Sequence, residues 1–209
     1  MNESYINKKL ATLISIVFAT HLVALVYGMY AGAIMYQLTP EIFNVGNMIL
    51  DLPVIIAAYI IASQKDIYRT TTAKLFSWIF FGLETFGLLN LLMYVIFDNN
   101  LSGLMGTSAH IIFPIIFATS TILFYATLQM WKPVKIVGII SALPNIANGI
   151  LLFQIVGKDY SEDFLPIFNA LGTILWVNLV LYATALILSI IWTLKKPVAP
   201  SMKQTIDAI

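Results

Sequence analysis

The sequence contains no cysteine. That excludes disulfides, thiolate zinc sites, iron–sulfur clusters and cysteine nucleophiles, and it leaves the redox compartment open. Charge is also scarce: Asp, Glu, Lys and Arg make up 10% of the 209 residues. Soluble domains carry about 25%. With a net charge of +1, the chain lacks the basic footprint of a nucleic-acid binder and the field needed to recruit acidic partners. Apart from Lys135 at the very start of the run 134–156, no apolar run holds a lysine, so none lies deep enough for a Schiff base, and His-x-x-x-His and Gly-Lys-Ser/Thr phosphate loops are missing. Nor is there a long polar stretch. Outside the apolar runs no segment exceeds about ten to fifteen residues, too short to fold around a core of its own.

What the chain does have is hydrophobicity, 60% of its residues and a mean hydropathy of +0.90. Six apolar runs, at 10–35, 42–63, 75–97, 107–130, 134–156 and 165–194, each reach the length of about 20 residues that a spanning helix needs. The fold class expected is therefore an all-α integral membrane protein of six transmembrane helices, residues 1–209 forming a single bundle with the lipid bilayer as its first partner. The first run, with Lys8-Lys9 before it and Ala31-Gly32-Ala33 near its end, has a secretory-signal outline. It is longer than the 7–15 residues of a signal core and is interrupted by His21, so it reads as a span.

Basic residues orient the spans. Lys8, Lys9, Lys65, Arg69, Lys74, Lys132, Lys135, Lys195, Lys196 and Lys203 all fall on alternate connections, and Lys158 alone lies on the other side, beside Asp159, Glu162 and Asp163. The positive-inside rule then places both termini in the cytoplasm of a multi-pass cell-membrane protein. Trp78, Trp131 and Trp192 sit at the basic ends of their spans, where an interfacial aromatic belt belongs. Each half has three spans whose middle one carries Leu-Pro, Leu52-Pro53 and Leu143-Pro144, and ends in Lys-Asp. This is the outline of a 3+3 inverted repeat, an arrangement used by secondary transporters.

Polar residues inside the spans give the functional clue. An acid at the centre of a span costs about 2.5–3.5 kcal/mol on insertion scales, and Asp51 stands in the second run two residues before Pro53. At 1.5 Å per residue from the basic ends, Asp51, Glu84, His21, Asn145 and Asn148 all fall within a slab about 6 Å thick near the midplane. Asn47 shares a helix face with Asp51, and Ser141 shares one with Asn145 and Asn148. Asn178, Tyr182 and Ser189 share a third face, on the sixth run. Ala24, Gly28 and Gly32 form a small-residue ridge beside His21, suited to a close helix contact. No lysine or arginine reaches the slab, so its acids must be protonated, hydrated or neutralised by a bound cation.

The leading reading is a transporter- or channel-like protein whose midplane site around Asp51 handles a proton, cation or small solute. Carbonyls freed by Pro53 would serve as further ligands, Glu84 and His21 as coupling partners, and Asn145 and Asn148, after Pro144, as contacts from the other half, with Asn178 in support. The alternative is a non-catalytic membrane subunit or assembly factor whose buried polar residues only pack helices, as a homo-oligomer or beside a partner membrane subunit. A third reading, an intramembrane enzyme acting on a lipid or quinone through Glu84 or His110, has no recognised nucleophile, metal set or cofactor motif behind it. Ser108 has no histidine in the last span to act as its base, and His110 lies about 15 Å from His21 in depth, too far to share a haem. No catalytic residue, metal or cofactor is assigned. With protease-cleavable tags at both ends of the chain, sealed right-side-out vesicles should protect both tags until the membrane is breached; cleavage of either in intact vesicles contradicts the orientation.

Overall fold

The structure, a computed structural model, describes residues 3–34, 40–65, 70–97, 109–155 and 165–195. These are helical almost throughout: α1 (Glu3–Ile34), α2 (Pro40–Ser63), α3 (Thr71–Phe97), α4 (Ala109–Thr127), α5 (Lys132–Ile155) and α6 (Leu165–Leu194). Five of the six are long and apolar enough to cross a membrane. In the sixth, α4, the described apolar part is Ile112–Thr127, and the helix stops at Thr127 where the hydropathy pattern runs on to residue 130. The α1 helix continues through Ala31–Ala33 to Ile34.

Local chemistry explains the helix ends and their continuity. Proline opens α2 at Pro40 and lies second in α5 and α6, at Pro133 and Pro166, where a missing N–H leaves no hydrogen bond unmade. The Thr70 hydroxyl accepts a bond from the Ala73 N–H at 3.1 Å and caps the start of α3. Pro53, Pro114 and Pro144 lie inside helices that nonetheless continue past them. Hydroxyls along the apolar faces donate back one turn, as Thr85 does to Phe81 and Thr121 to Phe117, each at 2.8 Å. Such side chains satisfy themselves within their own helix and carry no message about a site.

The six helices form a closed ring. Each packs on its neighbours in sequence, and α6 returns to pack on α1. The short α4–α5 connection ties one end: the Lys135 ammonium donates to the Ala126 carbonyl at 3.0 Å, and Lys195 lies 3.5 Å above the Trp131 ring. The outer faces are apolar, with Ile56, Trp176, Val180 and Ile187 exposed, an outer surface suited to hydrocarbon rather than water. Trp192, expected in an interfacial belt, is instead buried in the core, because α6 turns that residue inward.

Burial is uneven along the ring axis. On α1 the buried side chains end at Thr20; on α2 they begin at Val54; on α3 they end at Phe80. All these positions lie toward the end that carries Lys8, Lys9, Lys65, Lys74 and Lys195, and here all six helices contribute to one apolar core. Its centre is aromatic. Phe18 stacks on Tyr125 at 5.3 Å, and Phe80 stacks on Phe124 at 4.2 Å. Gly138 lets α5 approach this group: a Cβ there would stand 3.0 Å from the Tyr125 ring, which is wholly buried and held by Phe18. At Gly28, by contrast, a Cβ would meet open space, so the expected close contact along the Ala24–Gly28 ridge does not form there. Gly138→Val should therefore lower stability by about 1–3 kcal/mol through overpacking, read as an earlier thermal midpoint, while Gly28→Ala should leave the midpoint unchanged or raise it.

Candidate functional site

A polar layer sits directly on this core, one turn nearer the middle of the helices. On α1, His21 follows the last buried residue, Thr20; on α3, Glu84 lies one turn beyond Phe80; on α2, Asp51 lies three residues before Val54. His21 Nε2 and Glu84 Oε1 are 3.9 Å apart, within ion-pair range but longer than a hydrogen bond. The His21 ring stacks on Tyr182 of α6, centroids 5.4 Å apart and planes 10° from parallel. Tyr182 in turn lies within interaction range of the Asn145 side chain of α5. Asp51 lies close enough to Glu84 for their charges to interact, and the phenols of Tyr125 and Tyr182 also fall within the field of Glu84. Each of the six helices thus supplies a side chain to one layer.

The side chains of the layer are only partly covered by their neighbours. His21 keeps 27% of its side-chain surface and Glu84 keeps 14%. Its hydrogen bonding is also incomplete. His21 Nδ1 is buried without a well-aligned partner, although the Val17 carbonyl one turn back lies within interaction range. One turn from Tyr182 on α6, Asn178 is buried and its Oδ1 has no partner. In low-dielectric surroundings such atoms cost free energy unless water or a ligand completes them. Among the described residues no three His, Asp or Glu side chains converge closely enough to chelate one metal ion.

Of the residues expected from sequence, His21, Asp51, Glu84 and Asn145 come together, and Asn178 lies just beyond them. Asn47, Asn148 and Pro144 are half-buried. Pro53 is a correction. It is exposed on the outer face of α2, beside exposed Ile49, Leu52 and Ile56. The carbonyl it leaves free belongs to Ile49, and two residues turn a helix by about 200°, so that carbonyl faces away from Asp51 and is no ligand for the site. His110 lies on α4 with its side chain outside the described residues, as does the segment Asp159–Asp163. Tyr125 was not anticipated. The signal was available: a tyrosine inside an apolar run is a large ring whose hydroxyl needs an internal partner when it is buried.

No known protein family matches the sequence, and no curated protein or solved structure shows significant similarity to it. The approach of Asn145 to Tyr182 gives the layer a direct test. Asn145→Ala and Tyr182→Phe, alone and together, should show a coupling of about 0.6–1.7 kcal/mol in a double-mutant cycle, and strict additivity would mean the two side chains do not interact.

Proposed function

We propose that the chain is a multi-pass protein of the cell membrane, with six spans, both termini cytoplasmic, and a transporter- or channel-like site at mid-depth. The site handles a proton, a cation or a small solute. One observation carries this reading: six helices converge on a layer holding two carboxylic acids and one histidine, and no lysine or arginine among the described residues reaches it. Intramembrane acids are expensive and mark ion or proton pathways when they face a bundle interior. In this role Asp51 and Glu84 supply the negative charge and His21 modulates it. Tyr182 and Asn145 hold the histidine in place. At 19 residues, or about 28 Å, α4 is long enough to serve as the sixth span of a hydrocarbon layer about 30 Å thick. The ring order also supports a 3+3 repeat: stepping three helices along maps each packed pair onto another, and Pro53 and Pro144 each lie in the middle helix of their half.

A second reading has its own support. Ser15 of α1 donates to Ser189 of α6 at 2.9 Å, a polar side-chain pair that joins neighbouring helices. If the whole layer served only that purpose, the protein would be a non-catalytic membrane subunit. Thermal unfolding across pH and a panel of sodium, potassium, magnesium and small amines separates the two. A ligand of the folded state at 100 times its dissociation constant adds about 2.7 kcal/mol. The proposal expects one condition to raise the midpoint of the wild type, and Asp51→Asn and Glu84→Gln to abolish that rise. Midpoints indifferent to every cation, with both variants merely less stable, would favour the packing role.

A further inference from the structure

We propose that the rings of Phe18, Tyr125, Phe124 and Phe80 form a closed gate on the basic-end side of the polar layer, so that in this conformation the layer is reached only from the opposite face. The inference rests on the reading of the layer as a site. Three independent observations support it.

The first is the path of the rings. Phe18 belongs to α1 and Tyr125 to α4, which are not neighbours in the ring but stand opposite each other. Their stack at 5.3 Å therefore crosses the axis of the bundle. Tyr125 meets Phe124 edge-on at 5.2 Å, and Phe124 stacks on Phe80 of α3. The four rings thus run from one wall of the ring through its centre to another. All four are buried, at 2% exposure or less. The second is depth. Counted along α1 from Lys9 and along α3 from Lys74, Phe18 lies about 14 Å and Phe80 about 9 Å in, one turn before His21 at about 18 Å and Glu84 at about 15 Å, and the two stacks hold Tyr125 and Phe124 level with those rings. The Tyr125 phenol joins the two, its ring in the plug and its charge environment set partly by Glu84. The third is the burial boundary. Buried side chains are dense on the plug side and thin out at the layer on α1, α2 and α3. His21 and Glu84 keep exposed surface although Phe18 and Phe80, one turn away, keep almost none.

An apolar constriction of this kind stops ions and water by dewetting, without any need for a charged barrier. Opening it requires only that α1 and α4 part at one ring stack. In an alternating-access cycle that step would expose the layer to the basic side.

The absence of native cysteine makes the inference directly testable. Single cysteines are placed at Leu88→Cys, one turn beyond Glu84 on α3, and at Ala58→Cys, fully buried on α2 at the depth of the plug. The full chain is reconstituted in sealed vesicles, and a membrane-impermeant thiol reagent is applied from each side in turn. The expected pattern is labelling of Leu88→Cys from the face opposite the basic end only, and protection of Ala58→Cys from both faces. Adding Phe18→Ala should remove that protection, making Ala58→Cys reactive from the face that labels Leu88→Cys. If Phe18→Ala does not elute as a single folded species, Tyr125→Leu takes its place. Labelling of Ala58→Cys with the rings intact overturns the gate, as do labelling of Leu88→Cys from the basic side and protection that survives ring removal in a folded variant. Labelling reads access and not ligand binding. A protein with the expected pattern but no cation-dependent melting keeps the gate and loses the proposed ligand, and the converse result discards the gate alone.

Discussion

Two carboxylic acids in the middle of an apolar bundle, with no lysine or arginine among the described residues beside them, set the terms for the rest of this structure. A carboxylate in hydrocarbon is unfavourable by several kcal/mol, so each must turn inward and find polar company. Asp51 and Glu84 come from neighbouring helices and lie within each other's field, which makes them poor partners for one another. The His21–Glu84 approach at 3.9 Å, the His21–Tyr182 stack and the nearness of Asn145 to Tyr182 form the chain of contacts that surrounds them. Those contacts run through α1, α3, α5 and α6, and they need the ring of helices to be closed. The polar layer and the topology are two aspects of one requirement.

The basic-end half provides the rigidity. Its core draws on all six helices, and its stacked rings fill the axis where a ring of helices would otherwise leave a channel. Gly138 and the buried Ala57, Ala58 and Ala185 let helices approach around those rings, so the plug is formed by size complementarity between aromatic and small residues. Above it the side chains are less buried and the hydrogen bonding is incomplete, as at His21 Nδ1 and Asn178 Oδ1. Packing strength and functional polarity are thus separated along the axis, a division suited to a site that must admit water or a ligand while the scaffold stays intact.

Much of this was legible from sequence, and the reasons are specific. Helix positions follow hydropathy because every backbone bond in hydrocarbon must be made within the helix. Depth follows from counting, which is why His21, Asp51, Glu84 and Asn145 could be assigned to one layer before their contacts were known. Facing is harder. Pro53 shares a span with Asp51, yet two residues rotate it to the outer face, and sequence proximity misled on the role of its freed carbonyl. Trp192 sits where a belt residue would sit, but its direction depends on which helix lies beside α6. That neighbour is α1, which no local pattern reveals. Gly28 looked like a contact position and is not one, whereas Gly138 is, because the large partner that fills the notch, Tyr125, comes from another helix. Closure of the ring is a long-range property, and the misjudged residues are those whose role depends on it.

The central claim is that a cation or proton reaches the carboxyl groups of the polar layer and changes their state. Infrared difference spectroscopy on the reconstituted protein measures this directly, recorded on a step in pH and on addition of sodium, potassium or methylammonium. The account predicts a reproducible difference band in the carboxyl region for at least one of these steps, diminished in Asp51→Asn and in Glu84→Gln. A carboxyl region that responds to none of them in the wild type, while the protein remains folded, would contradict it.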